Sequence, residues 1–271
     1  MIYILLFIIF SYCPNVLAQD SGLYFEQINY DEDFSPSMIS SMVQSKKGFI
    51  WVGTENGLFR YDGYSFYRYI RDKESKGSLS NNHVNVIFED TDQNLWIGTN
   101  HGVNLFKKNS NDFQQIDVST VKGGKSYISS FAEDGSKNLW IGTFGGVKRY
   151  NKKTRLLDNI KSDSNFILNQ SRVLSLFYDK YYGVLVGTAT GIQCFDPITS
   201  ELKQMPKGFT NNKEFLKAKV WKVIKEANGD LWFATETKGA FLSNPCEFCE
   251  GPVAALGQHR IQSYIVRFSG H

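Results

Sequence analysis

Alternating apolar and polar positions return along this chain in short runs, none long enough for an independent helix. These runs lie at 38–44, 84–89, 128–133, 173–178 and 220–225. Side chains on a strand point alternately to its two faces, so each run predicts a half-buried β-strand. A polar turn follows, such as Lys46-Lys47-Gly48, Thr91-Asp92-Gln93-Asn94 or Ala227-Asn228-Gly229-Asp230. Next comes a more continuously apolar strand, WVGT at 51–54, LWIGT at 95–99 and 139–143, VLVGT at 184–188 and LWFAT at 231–235. A tight turn then ends in Gly57, Gly102, Gly146, Gly191 or Gly239, where glycine takes a positive φ without steric cost. A third strand carries Phe59–Tyr61, Leu105–Phe106, Val147–Tyr150 or Ile192–Phe195, and a fourth, more polar one carries 66–69, 113–116, 156–160 or 202–205.

The unit repeats. Trp51, Trp96, Trp140, Leu185 and Trp232 stand 45, 44, 45 and 47 residues apart. A period in the mid-forties with four strands per unit predicts an all-β chain, a β-propeller of four-stranded antiparallel blades with about five blades present. The blades are expected at about 38–70, 84–118, 127–161, 172–206 and 220–243, within a propeller region 19–243. The recurring Trp reads as a wedge between adjacent blades, and the Gly after it as a point of close approach. Leu185 in place of Trp predicts that the fourth blade is the loosest. The tail, 244–271, shows none of the expected fourth-strand pattern. Tyr24–Ile28 has the look of a fourth strand and would complete the fifth blade in a closed five-bladed ring, removing the open sheet edge.

The full pattern, Asp-x-x-Gly/Asn-x-Leu-Trp-Ile-Gly-Thr-x-x-Gly-Leu-x-x-Tyr, resembles the two-component regulator propeller repeat. Residues 89–106 and 133–150 match it closely and 46–61 and 226–242 nearly so, while Ser78-Leu79-Ser80-Asn81-Asn82 resembles its inter-blade loop. The resemblance covers about 24–243. It implies the periplasmic sensor of a hybrid histidine kinase, with oligosaccharides from complex glycans as ligands. It also implies seven blades per ring, followed by a small β-sandwich, a membrane span, a kinase and a response-regulator part. None of these follows here. The expectation is therefore an open fragment of a seven-bladed ring, truncated before the kinase, in preference to the closed five-bladed ring.

Residues 2–10 are continuously apolar, Pro14-Asn15 breaks the run, and Val16-Leu17-Ala18 precedes Gln19. This predicts a signal peptide at 1–18 and a periplasmic mature chain without a membrane span. The leader lacks Lys and Arg, and bulky Tyr12 before Cys13 argues against a lipoprotein. Fifteen per cent aromatics and 23 glycines suit many short strands and turns, and a net charge of +3 without a basic stripe argues against nucleic acid. The four cysteines form no framework: Cys13 leaves with the leader, Cys194 reads as a small buried residue, and Cys246 and Cys249 lack a redox or zinc context.

Candidate chemistry is sparse. No nucleophile elbow or His-Glu-x-x-His motif occurs, and no cofactor or metal is expected. Asp90, Asp92 and Asn94 have calcium-loop spacing, but Leu95 stands where that loop needs Gly and His101 where it needs Glu. A polar turn explains them better. A ligand is expected where the loop into the innermost strand and the turn between second and third strands share one face. That face carries Glu55, Asn56, Asn81, Asn82, His83, Asn100, His101, Phe144, Arg172 and Lys238, which differ from blade to blade as an asymmetric ligand requires. Three roles follow: a non-catalytic glycan-responsive sensor, a propeller lyase or hydrolase, or a protein-interaction scaffold. The expected partners are an oligosaccharide, and a second copy of the chain or another periplasmic protein.

Overall fold

The computed structural model describes residues 38–118, 126–160, 172–205, 213–236, 239–243 and 263–264. The leader, Tyr24–Ile28, most of the tail and Lys238 lie outside the described residues. Five separate four-stranded sheets follow one another in chain order, each an antiparallel meander. Blade 1 comprises β1 (Ile39–Gln44), β2 (Ile50–Thr54), β3 (Gly57–Tyr61) and β4 (Phe66–Tyr69). Blade 2 comprises β5 (Val84–Glu89), β6 (Leu95–Thr99), β7 (Gly102–Lys107) and β8 (Asp112–Ile116). Blade 3 comprises β9 (Ile128–Glu133), β10 (Leu139–Thr143), β11 (Gly146–Asn151) and β12 (Leu156–Asn159). Blade 4 comprises β13 (Val173–Asp179), β14 (Gly183–Thr188), β15 (Gly191–Phe195) and β16 (Leu202–Lys203). After a four-residue helix α1 (Lys213–Leu216), blade 5 comprises β17 (Val220–Lys225), β18 (Leu231–Thr235), β19 (Ala240–Ser243) and β20 (Ser263–Tyr264). The fourth strand of blade 5 thus comes from the tail, pairing Phe241 with Ser263, where the sequence pattern showed no strand. Two residues are too short to give a periodic signal.

Each position of the repeated motif has a physical task. The Trp lies on the second strand and faces the next blade. Trp51 meets Phe106 edge-on at 4.9 Å, and Trp96 meets Tyr150 at 5.8 Å. Trp140 packs against Phe195 with its ring centroid 6.3 Å away. The acid at the end of the first strand takes the indole proton: Trp96 Nε1 donates to Asp90 at 2.9 Å and Trp140 Nε1 to Asp134 at 2.8 Å. Both aspartates are buried and also close the turn, accepting from the backbone N–H of Asn94 and Asn138. A buried carboxylate without such donors would be costly.

The Gly after the Trp brings the next blade in. A Cβ at Gly98 would lie 2.6 Å from Ile128 Cγ2, and one at Gly53 would lie 2.7 Å from Val84 Cγ1. No side chain fits there. The following Thr then locks the turn: Thr99 Oγ1 donates to the Gly102 carbonyl at 3.1 Å and accepts from the His101 N–H at 3.1 Å. The same pair of bonds recurs at Thr54, Thr143 and Thr188.

Consecutive first strands lie side by side, and each second strand packs on the first strand of the next blade. The first strands are therefore innermost. Arg60 and Arg149 tie blades together nearer the rim, Arg60 to Asn111 of blade 2 and Arg149 to the Pro197 and Ile198 carbonyls of blade 4. Blade 4 is not loose. Leu185 is fully buried, and Phe215 of α1 supplies the missing aromatic volume, 5.0 Å from Phe233 and 4.9 Å from Phe241.

At the two terminal blades, positions that neighbours bury elsewhere are open. Ile39 and Met42 correspond in register to the buried Val84 and Ile87, yet are 48% and 59% exposed. Ile224 on β17 is 53% exposed, and exposed Ala234 stands at the position of the close-contact glycine. Among the described residues, blades 1 and 5 are thus not packed together as successive blades are.

The wedge account makes unequal tryptophans a test. Trp140→Ala is expected to cost about 3–5 kcal/mol, the range for a buried large aromatic. Trp232→Ala is expected to cost less, because Trp232 is only partly buried. Urea unfolding of the two variants measures the difference; equal losses would contradict the wedge.

Candidate functional site

In each blade the start of the first strand pairs with the end of the second, as Val84 does with Thr99. The residue leading into the first strand therefore lies beside the second-to-third turn. A hydrogen bond joins them: the Asn100 N–H donates to the His83 carbonyl at 3.2 Å and Phe144 to Tyr127 at 3.3 Å. Ala189 donates to Arg172 at 3.1 Å, and Glu236 to Lys219 at 3.1 Å. Every first strand also carries a register shift at its second residue, which singles out Ser40, Asn85, Ser129, Leu174 and Trp221. An unpaired residue of this kind bends the strand and re-aims its side chain. Lead-in and turn thus lie together at one end of each blade, with the bulge beside them; the Ser40 hydroxyl is turned into the seam, bonded to the Gly53 and Val84 carbonyls.

Among the described residues, most of the expected ones fall on these turns and lead-ins. Glu55 and Asn56 occupy the turn of blade 1, Asn100 and His101 that of blade 2, and Phe144 that of blade 3, while Arg172 leads into blade 4. Asn81 accepts from the His83 N–H at 2.8 Å, and its amide lies 3.4 Å from His101 Nδ1. Asn100 Oδ1 accepts from the Asn85 amide at 3.0 Å. Blade 2 therefore pairs the Asn81 amide with the His101 imidazole and the Asn85 amide with that of Asn100, the His83 backbone lying between them. Asn82 is turned outward, accepting from the Arg71 N–H at 2.6 Å, and the Asn56 carbonyl accepts from Arg68.

Sequence reading missed Tyr127, Asn85, Lys219 and Trp221. Tyr127 stacks on Phe144 with centroids 3.8 Å apart, and burial raises its phenol pKa. Lys219 Nζ sits 4.2 Å from the Trp221 ring and pairs with Glu236 at 2.7 Å. Tyr127 and Lys219 hold the position of His83 and Arg172, so positional equivalence between repeats would have found them. The bulge residues give no sequence signal.

Asp90, Asp92 and Glu133 bring carboxylate oxygens together at the opposite end of the first strands. Lys152 lies among them, 2.8 Å from Asp90, 3.2 Å from Asp92 and in contact with Glu133. Burial would raise the Asp90 pKa, but bonds from Lys152, Trp96 and Asn94 outweigh it and hold the carboxyl below its ordinary value. Burial likewise opposes the charge on Lys152, yet Asp90 and Glu133 keep its pKa up at about 12. The cluster is an ion-paired seam between blades 2 and 3. A separate groove of about 580 Å³, near the rim of blade 2, is lined by Arg71, Lys73, Lys76 and Lys107 with Asp72 and Asp112.

A carboxyl whose folded pKa is depressed stabilises above its unfolded pKa, near ~3.9, and loses that contribution as pH falls through the folded value. Lys152→Met removes the strongest lowering bond on Asp90. Its acid unfolding midpoint, followed by circular dichroism, is expected at higher pH than that of the unaltered chain. An unchanged midpoint would show that the seam contributes nothing.

A profile of the two component regulator propeller family matches residues 33–56, 78–101 and 123–145. Histidine kinase P4 of Formosa agariphila is 34% identical over 74 residues, 27% of this chain and 5% of that protein. The extracellular domain of a hybrid two-component system of B. thetaiotaomicron superposes with a TM-score of 0.65 at 22% identity, over 80% of this chain and 28% of that one. A second such domain from the same organism gives 0.57 at 17% identity, over 79% and 34%. Virginiamycin B lyase of Staphylococcus aureus gives 0.58 at 10% identity, over 77% and 67%. At these identities the solved structures establish the propeller fold alone. This chain spans about a twentieth of that kinase and under a third of the first of these extracellular domains.

Proposed function

We propose that this chain, built from two component regulator propeller repeats, is a non-catalytic ligand-sensing propeller whose inner end binds an oligosaccharide. The observation that carries the reading is the division of labour within each repeat. Trp, Gly and Thr are spent on blade packing and turn closure, while the two residues between Thr and Gly change from blade to blade. Glu55-Asn56, Asn100-His101, Phe144-Gly145 and Ala189-Thr190 stand on turns held by the same two hydrogen bonds. A rigid frame that displays different polar groups suits a ligand with many hydroxyls and no symmetry. The likeness to extracellular sensor domains supports export, as does the apolar leader at 1–18. Among the described residues, no helix is long and apolar enough to cross a membrane. Signal output would belong to kinase parts of the kind named in the F. agariphila relative.

Thermal unfolding of the chain against a panel of neutral and acidic oligosaccharides tests the reading. A ligand at a hundred times its Kd is expected to stabilise by about 2.7 kcal/mol, a shift of several degrees. No shift with any of the panel would remove the ligand. The lyase likeness extends only to fold; turnover lost in His83→Ala or His101→Ala would replace a sensor by an enzyme.

A further inference from the structure

The Phe144 ring, which the sequence offers as a surface for a sugar, is already engaged. Tyr127 stacks on it at 3.8 Å with an interplanar angle of 18°, and the Arg172 guanidinium lies over it, 4.8 Å from the ring centroid. What reaches solvent at this point of the inner end is the exposed Arg172. Its side chain makes no ion pair or side-chain hydrogen bond among the described residues. Arg68 and Arg149, by contrast, are engaged, Arg68 with the Asn56 carbonyl and Arg149 with Asp158.

A guanidinium stacked on a ring keeps its N–H donors at its edge, directed away from the ring face, in the fork that matches two oxygens of one anion. Two restraints fix it here. The stack holds the head group, and the Ala189 N–H bonded to the Arg172 carbonyl at 3.1 Å holds the backbone. The ring contact therefore offsets part of the side-chain entropy that an exposed arginine loses on binding. The neighbouring lead-in cation does not compete for the same anion, because Lys219 is paired with Glu236.

We infer that Arg172, braced by Phe144 and Tyr127, receives the anionic group of an acidic oligosaccharide, a carboxylate or a sulfate ester. The amides and imidazoles of blade 2 then meet neutral hydroxyls on the same ligand. The inference rests on the sensor reading and narrows it to charged sugars. It assigns Tyr127 a positioning role: it braces the ring on which the arginine lies.

Calorimetric titration of the whole chain tests it with three probes of matched length: an oligogalacturonate, a sulfated galactan oligosaccharide and a neutral xylo-oligosaccharide. Binding of at least one acidic probe is expected to be about tenfold or more tighter than binding of the neutral one, as charge-assisted hydrogen bonds allow. The two acidic probes separate carboxylate from sulfate. Arg172→Gln is expected to erase that preference without moving the melting temperature, since the side chain is exposed. Arg172→Lys restores part of it, and Phe144→Leu weakens it with Arg172 intact. Neutral binding as tight as acidic, or acidic binding untouched in Arg172→Gln, overturns the inference and leaves the sensor reading standing. No binding by any probe overturns both.

Discussion

The packing of each second strand onto the first strand of the next blade is the constraint on which the molecule depends. Two residues set it. The Trp fills the widening gap between sheets, and the Gly two positions on lets Ile128 or Val84 approach to within a distance that no Cβ would survive. Large and absent side chains thus alternate along one strand and fix both the spacing and the angle of neighbouring blades. Where Trp gives way to Leu185, the chain inserts Phe215 from α1 and keeps the contact closed. Where the Gly gives way to Ala234, no first strand lies against it among the described residues.

Electrostatics follow the same seam. Asp90 and Asp134 lie under their tryptophans and spend their lone pairs on indole and turn N–H groups. Lys152 then bridges two blades through Asp90 and Glu133, and Lys225 of blade 5 reaches Asp179 of blade 4 at 2.5 Å. These are partly buried pairs whose ions are also hydrogen-bonded, the condition under which such pairs are tolerated. They lie at the end of the first strands away from the variable turns. Ion-paired seams and variable turns occupy opposite ends of the same strands.

Most of the frame was legible in the sequence because each repeated residue has one task and the period is nearly constant. Gly57, Gly102, Gly146 and Gly191 all take positive φ, as the turns require. The parts that escaped are those without periodic character. Ser263–Tyr264 is too short to read as a strand, and the role of Phe215 depends on a helix of four residues. The inner end was legible as a location, since His83 and Arg172 mark the lead-in position. Its chemistry was not. That Phe144 is covered, that Asn82 turns outward and that Asn85 is bulged toward Asn100 are facts of side-chain packing that spacing does not encode.

The central claim is that repeated residues build the frame while the variable lead-ins and turns recognise the ligand. Mapping amide chemical shifts of the labelled chain during titration with an acidic oligosaccharide tests this most directly. The account predicts that the perturbed amides cluster at the inner end, at 55–56, 81–85, 100–101, 127, 144–145, 172 and 189–190. Perturbations centred on the rim groove around Arg71, Lys76 and Lys107, with the inner end silent, would contradict it.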